Sequence, residues 1–188
     1  MDDSTYKQLK ETGLPEGLSK HKALERLASF VNRAGDLGDK QALTQAIDFL
    51  EPHTDASSDG TVRAHAQFFL GNAWRHLRDL EVQSGNEEWA WKNDPLEQET
   101  LCLRRALAAS ATSEASVPIC AILINLGNAL SHIGRPVEAI EYYDQALRQD
   151  SEFAMAIGNR ALAMSYYASA LYDSCQRALM LKLAHPLV

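Results

Sequence analysis

Hydrophobic positions along the chain recur with the period of an α-helix, and the alternation typical of half-buried strands is hard to find. In residues 62–80 the apolar residues follow the i, i+3, i+4, i+7 rule of a helix face: Ala66, Phe69, Leu70, Ala73 and Leu77. Similar faces occur in residues 19–34 and 40–50. Glycine and proline residues lie between the apolar runs, where they end helices. The pattern predicts an all-α protein.

The clearest pair of helices is predicted in residues 120–151. The segment holds two helical runs of about a dozen residues each, separated by a turn at Gly134. Small residues, among them Gly127 and Ala139, would let the two backbones approach closely, and Tyr143 would fill the space beside them. This segment therefore predicts a tightly packed helical hairpin.

The run NLGNALSHIGRPVEAIEYYDQAL within this hairpin resembles a tetratricopeptide repeat. It carries the leucine-glycine pair, the turn glycine and the Glu-Ala-Ile triplet, followed by tyrosine, alanine and leucine. The proline that the family places after the second helix is absent, and Ser151 stands there. The matching residues are Leu126, Gly127, Leu130, Gly134, Ala139, Tyr143 and Ala146.

A second unit resembling this repeat is predicted in residues 154–184. Asn159 and Ala161 follow Asn125 and Gly127 at the repeat length of the family, about 34 residues. The interval from Ala146 to Ala178 is slightly shorter, and no glycine marks the turn, so we expect a distorted turn. The other matching residues of this unit are Met164, Ala178 and Leu179.

Residues 61–110 resemble a further repeat, with Leu70 and Gly71 as the leucine-glycine pair. Gly71 lies much further along the chain from Ala106 than Gly127 lies from the equivalent Ala146. The excess predicts an inserted loop, 81–95, between the two helices of this repeat.

The remaining segments are predicted as a degenerate helical hairpin in residues 19–52 and an N-terminal extension in residues 1–18. The resemblance implies one continuous repeat domain. In it, antiparallel helical hairpins stack as a right-handed superhelix, an α-solenoid.

Composition and charge narrow the function. Apolar residues make up 46% of the chain and charged residues 23%, which is typical of a globular protein. The net charge of −7 argues against nucleic-acid binding, which uses basic surfaces. No apolar run approaches the ~18 residues of a membrane span, and the polar N-terminus does not resemble a secretory signal. Three scattered cysteines indicate reduced thiols, so we expect a cytoplasmic protein.

The resemblance also implies a binding surface, because first helices of such repeats line a concave groove that holds a peptide or a partner helix. Asparagine side chains there suit the gripping of a peptide backbone. The alternative for every groove residue is plain solvent exposure, and for Asn125 and Asn159 it is a structural hydrogen bond to a neighbouring helix. The expected partner-binding residues are His65, Phe68, Asn72, Arg75, His76, Ile124, Asn125, Asn128, Ser131, His132, Met155, Asn159, Leu162, Ser165 and Tyr166.

One subtype of the family clamps a terminal carboxylate with asparagines and basic residues. Asn72 and Asn125 match its asparagines, but the basic positions hold Phe68, Met155 and Asn159. Capture of a terminal carboxylate is therefore not expected in this groove.

Two tryptophans, Trp89 and Trp91, lie in the inserted loop. Either they fold back to cover the hairpin or the edge of the groove, or they stay exposed as aromatic anchors for a partner. The second alternative is motivated by the enrichment of tryptophan among binding hot spots.

No catalytic or metal site is predicted. The chain has no phosphate-binding glycine loop and no nucleophile elbow. His65 and His76 are three helical turns apart, too far along one helix to share a metal ion, which needs ligands on adjacent turns. We expect no cofactor and no enzymatic activity.

The sequence thus predicts a non-catalytic protein-interaction scaffold that binds a peptide or protein partner. One alternative is a sensing or regulatory module of a larger effector assembly, or a homo-oligomer. It is motivated by the end LKLAHPLV, which is not followed by a polar capping helix, whereas repeat arrays usually need one. A missing C-terminal domain that packs on the C-terminal helix would also supply the cap. A small secretion-type chaperone also fits the size and acidity.

Overall fold

The computed structural model describes residues 1–15, 17–54, 59–84, 94–111 and 118–184. These residues form helices without any strand, so the predicted all-α class is confirmed. Over the same ranges, no helix has the length and apolar content needed to cross a membrane. The helices are α1 Asp3–Thr12, α2 Lys20–Leu37, α3 Lys40–Leu50, α4 Gly60–Gln83, α5 Asp94–Ser110, α6 Ile119–His132, α7 Pro136–Gln149 and α8 Ala154–Ala184, with a short 3-10 helix at Glu51–Thr54.

The chain divides into two compact units, Met1–Ile122 and Leu123–Val188, where the sequence predicts one continuous repeat domain. The first unit holds α1 to α5 and the start of α6. The second holds the rest of α6 with α7 and α8.

Short polar side chains fix where the helices of the first unit begin. Ser19 caps α2, Asp39 caps α3 and Asp59 caps α4, each by accepting a hydrogen bond from a backbone N–H of the first turn. Such caps satisfy donors that have no partner within the helix. Gly38 ends α2 in the left-handed conformation, with φ of 65°, which glycine adopts without strain. The α2–α3 hairpin therefore follows from local sequence.

The core of the first unit lies between α2, α3 and α4. Leu27, Phe30, Leu43 and Leu50 are completely buried there, and they belong to the same cluster as Leu70 of α4. Burial of this kind is worth roughly 1.5–3 kcal/mol for each large side chain. The degenerate hairpin predicted in residues 19–52 is thus a packed part of this unit.

The predicted repeat in residues 61–110 is formed by α4 and α5, which pack along each other. Gly71 of α4 permits this close contact, because a Cβ atom on it would lie 2.9 Å from the Leu103 side chain. Both helices run into the predicted loop 81–95, since α4 ends at Gln83 and α5 begins at Asp94. Trp89 and Trp91 lie outside the described residues.

The predicted N-terminal extension contains a packed helix, α1. Its residues Tyr6 and Leu9 are buried, and the Tyr6 ring lies 5.2 Å from that of Phe30. The Tyr6 hydroxyl donates a hydrogen bond of 2.8 Å to Asp39, and Lys10 pairs with the same carboxylate.

In the second unit, α6 and α7 form the hairpin predicted for residues 120–151. Gly134 turns the chain with φ of 75°, and Pro136 opens α7, a position where its missing N–H costs nothing. A Cβ atom on Gly127 would clash with the Tyr143 ring. The small residue therefore makes room for the large one, as expected from the sequence.

The last predicted hairpin differs from the structure, in which residues 154–184 form the single helix α8. The linking residues 165–170, SYYASA, contain neither glycine nor proline, so nothing local ends the helix. At 1.5 Å per residue, α8 is about 46 Å long.

Candidate functional site

A cleft of about 310 Å³ opens on the second unit, between α6, α7 and α8. Six of its seven lining residues belong to the predicted groove, and Tyr143 is the seventh. The lining residues are Asn128, Ser131, His132, Tyr143, Asn159, Leu162 and Tyr166.

The side chain of Asn128 ties the three helices together. Its oxygen accepts a hydrogen bond of 2.8 Å from the Tyr143 hydroxyl and another of 2.9 Å from Nδ2 of Asn159. An amide oxygen has two lone pairs, so both are used. This matches the structural alternative for Asn159, which bonds to a neighbouring helix.

Tyr143 is the inner wall of the cleft. Its side chain is buried, and burial raises the pKa of its phenol to about 12. The hydroxyl therefore stays protonated at neutral pH and donates to Asn128. Sequence reasoning assigned Tyr143 to helix packing alone, and no local signal showed that its hydroxyl would orient an asparagine.

Two amide groups in the cleft keep hydrogen-bonding capacity. Nδ2 of Asn128 and Oδ1 of Asn159 make no hydrogen bond to any described residue. One is a donor and the other an acceptor, on side chains that are fixed by their shared bond. Leu162 and Tyr166 add an apolar wall, being 52% and 56% exposed.

The described residues that line the cleft include neither lysine, arginine, aspartate nor glutamate. Such a site can hydrogen-bond a neutral amide and receive an apolar side chain, and it offers no carboxylate as a general acid or base.

The other predicted groove residues of the second unit do not line this cleft. Ile124 is buried, and Asn125 is half-buried and has an interaction partner. Met155 and Ser165 are exposed on α8. The structure thus brings together the last three residues of the predicted α6 set with three of the five residues of the predicted α8 set.

In the first unit, the predicted groove residues of α4 turn largely into the protein. Phe68 is buried, while Asn72 and Arg75 are half-buried. Nδ1 of His65 lies 2.8 Å from the Thr61 carbonyl. His76 borders an open cleft of about 430 Å³ beside the α2–α3 turn.

The His76 ring lies directly over Gly35, on which a Cβ atom would clash with it. Burial and the neighbouring Arg75 lower the pKa of His76, against the raising effect of Asp79 and Asp36. At neutral pH the ring is therefore neutral. Throughout the described ranges, no group of three histidine, cysteine or acidic side chains is placed to hold a metal ion.

Comparison with known families matches residues 121–153 to the tetratricopeptide repeat. The matched range covers most of α6, its turn and all of α7, and it includes Gly127, Asn128 and Tyr143. Comparison with curated proteins finds no match. The family match falls on the hairpin that carries Asn128 and packs Gly127 under Tyr143, so the chain contains a tetratricopeptide repeat at residues 121–153.

Proposed function

We propose that this chain is a non-catalytic protein-interaction scaffold of the cytoplasm, and that the cleft of its second unit binds an extended peptide segment of a partner protein. The repeat family supports a role in protein binding. The peptide, the cleft and the location are our proposal.

The observation that carries the proposal is the pair of amide groups in the cleft. Nδ2 of Asn128 suits a peptide carbonyl, and Oδ1 of Asn159 suits a peptide N–H. Because the bond between these side chains fixes them, little conformational entropy is lost when a ligand binds.

The apolar wall of the cleft favours a particular kind of peptide side chain. Leu162 and Tyr166 are exposed beside the two amides, so an aliphatic or aromatic side chain next to the bound peptide group would cover them. Since the described lining has no carboxylate, lysine or arginine, an acidic or basic residue at that point would lose hydration without gaining an ion pair with one of them.

The experiment is peptide display on the purified full chain, followed by titration of the selected peptides. Asn128→Asp keeps an oxygen for Tyr143 and Asn159 but replaces the N–H donor by a carboxylate oxygen. We expect it to weaken binding at least tenfold, equivalent to about 1.4 kcal/mol. Leu162→Ala with Tyr166→Ala should weaken binding similarly, because it removes the apolar wall of the cleft. Both side chains are exposed, so their loss does not disturb the core.

Tyr172→Ala is the matched control, since Tyr172 is also an exposed α8 tyrosine but does not line the cleft. Selected peptides that bind the cleft variants and the parent chain equally well would refute the proposal, and so would a failure to select any peptide.

A further inference from the structure

One face of α8 is exposed where the equivalent face of α6 is buried. At one repeat length of about 34 residues after the matched repeat, Ile157 and Met164 of α8 correspond to Leu123 and Leu130 of α6. Leu123 and Leu130 are 3% and 6% exposed, whereas Ile157 and Met164 are 50% and 46% exposed. The α8 residues are large and apolar, so this face has the composition of a packed surface but has no covering neighbour among the described residues.

The matched repeat shows which kind of element covers such a face. In α6, Gly127 is covered by the Tyr143 ring of α7. The residue of α8 that corresponds to Gly127 is Ala161, which is exposed. The neighbour that α8 lacks is thus a helix placed as α7 is placed on α6.

A sequence that resembles such a second repeat helix follows directly after these residues, in the second half of α8. When the slightly shorter interval that joins Ala146 to Ala178 is applied to α7, Leu171 and Cys175 correspond to Ala139 and Tyr143. Leu171 is 49% exposed, and Cys175 is exposed and forms no disulfide.

This second half of α8 cannot reach its own first half while α8 stays one helix. At 1.5 Å per residue, Ala161 and Cys175 lie about 21 Å apart along the helix axis. Because α8 continues as one helix, its first half and its second half do not pack against each other as the two helices of a hairpin would.

We propose that the missing helix is supplied by a second copy of the chain. Residues 154–164 of one copy pack against residues 168–177 of the other, and the reverse contact forms at the same time. The arrangement has twofold symmetry, and each copy contributes the same two surfaces.

The two surfaces are complementary in polarity. The seam sets Ile157, Ala161 and Met164 against Leu171 and Cys175 of the partner, and all of these are apolar or small. The charged residue of this face, Arg160, already forms an ion pair with Asp144 of α7 in the same chain. Its charge therefore stays paired when the two copies come together.

The exposed area is of the order that a dimer requires. Ile157, Met164, Tyr167, Leu171 and Tyr172 are between 41% and 65% exposed. At about 200 Å² for a large side chain, they offer roughly 500 Å² before smaller residues are counted, and a standard interface buries about 800 Å² on each partner.

Disulfide trapping distinguishes the possible occupants of this face. In Ala161→Cys, the new thiol would meet the native Cys175 of the second copy. Under mild oxidation, in a Cys120→Ser background, we expect a disulfide-linked dimer that is absent when Cys175→Ser is added. A disulfide within one chain would overturn the proposal, because it would mean that the second half folds back on its own first half. Failure to form either disulfide would overturn it as well.

Light scattering gives an independent readout. We expect the parent chain to be a dimer and Met164→Asp to be a monomer. Leu162→Asp is the matched control, because Leu162 is similarly exposed on α8 but lines the cleft, so this variant should stay dimeric and lose only peptide binding. A monomeric parent chain, or a Met164→Asp variant that remains dimeric, would contradict the proposal while leaving the peptide-binding cleft untouched.

Discussion

Arg78 and Glu99 form an ion pair inside the α4–α5 hairpin, with 2.8 Å between Nε and Oε2. Both side chains are buried, and Oε1 of Glu99 has no hydrogen-bond partner among the described residues. Burial raises the pKa of Glu99, against the lowering effect of Arg78. The pair therefore joins the two helices while one of its oxygens stays unsatisfied.

Removing the arginine alone should be costly. Arg78→Met leaves a buried carboxyl group without its cation, and we expect the free energy of unfolding to fall by about 3–5 kcal/mol. Arg78→Met with Glu99→Leu removes both charges and should recover most of that loss. Urea unfolding followed by circular dichroism measures both variants, and a double variant as unstable as the single one would contradict the explanation.

The raised pKa of Glu99 makes stability depend on pH. The folded state holds the Glu99 proton more tightly than the unfolded chain, so this contribution is complete below the ordinary pKa of 4.5. It is lost as pH rises through the raised value. Glu99→Gln should flatten this decline, whereas Glu97→Gln, at an exposed position of the same helix, should keep it. Unfolding midpoints between about pH 4.5 and pH 8 would show the difference.

Gly35 and Gly158 should respond oppositely to the same substitution. Gly35→Ala places a methyl group against the His76 ring, and overpacking of this kind costs about 1–3 kcal/mol. Gly158→Ala meets no atom within 4 Å and should stabilise α8 by up to about 1 kcal/mol. Adding His76→Ala to Gly35→Ala should remove the steric part of the loss. Thermal unfolding of these variants and the parent chain tests the contact, and equal effects at both glycines would count against it.

Acid should weaken the packing between α2 and α4. Because the pKa of His76 is lowered in the folded state, its contribution to stability is present above the ordinary value of 6.5 and is lost as pH falls through the lowered one. His53 has a lowered pKa for a similar reason, burial, together with Lys20. His76→Gln should reduce the loss of stability below pH 6.5, leaving the part that comes from His53. A pH profile unchanged in His76→Gln would contradict this.

Alkali should act on the second unit through Tyr143. The folded state retains its proton up to a pKa of about 12, compared with 10 for a free tyrosine, so stability is lost as pH rises from 10 towards 12. Tyr143→Phe should lessen this loss, although at neutral pH it gives up one hydrogen bond, worth about 1 kcal/mol. The exposed Tyr166, which is not part of the proposed dimer seam, supplies the control, since Tyr166→Phe should follow the parent chain in unfolding experiments over this range.

The α6–α7 hairpin could be predicted from the sequence because its determinants are local. Gly134 makes the turn, and Gly127 and Tyr143 form a small-to-large pair at a fixed distance along the chain. The contact of Tyr143 with Asn128 required the structure, since it depends on how a hydroxyl is oriented across two helices.

The α8 region shows the opposite case. The repeat spacing predicts a hairpin there, but the residues between its halves include no helix breaker, and the structure continues the helix. Whether such a segment bends is decided by what packs against it. The burial of Phe68 and Ile124 has a related cause, because one residue along a helix is a rotation of about 100°. A groove register taken from repeat spacing therefore readily places a residue on the wrong face.

The buried ion pair between Arg78 and Glu99 was also not predicted from the sequence. Glu99 is completely buried, while glutamate is almost never fully buried unless it is paired. No sequence pattern indicates the pairing, since Arg78 lies on another helix, on the far side of the predicted loop.

Asp39 has a consequence for the N-terminal helix. One of its carboxylate oxygens accepts from the Ala42 N–H, which starts α3, and the other accepts from the Tyr6 hydroxyl of α1. The two helices therefore share one anchor, and local opening of α1 would leave the capping carboxylate without the Tyr6 and Lys10 contacts that orient it. The first helix of the chain thereby helps to hold in place the carboxylate that caps α3.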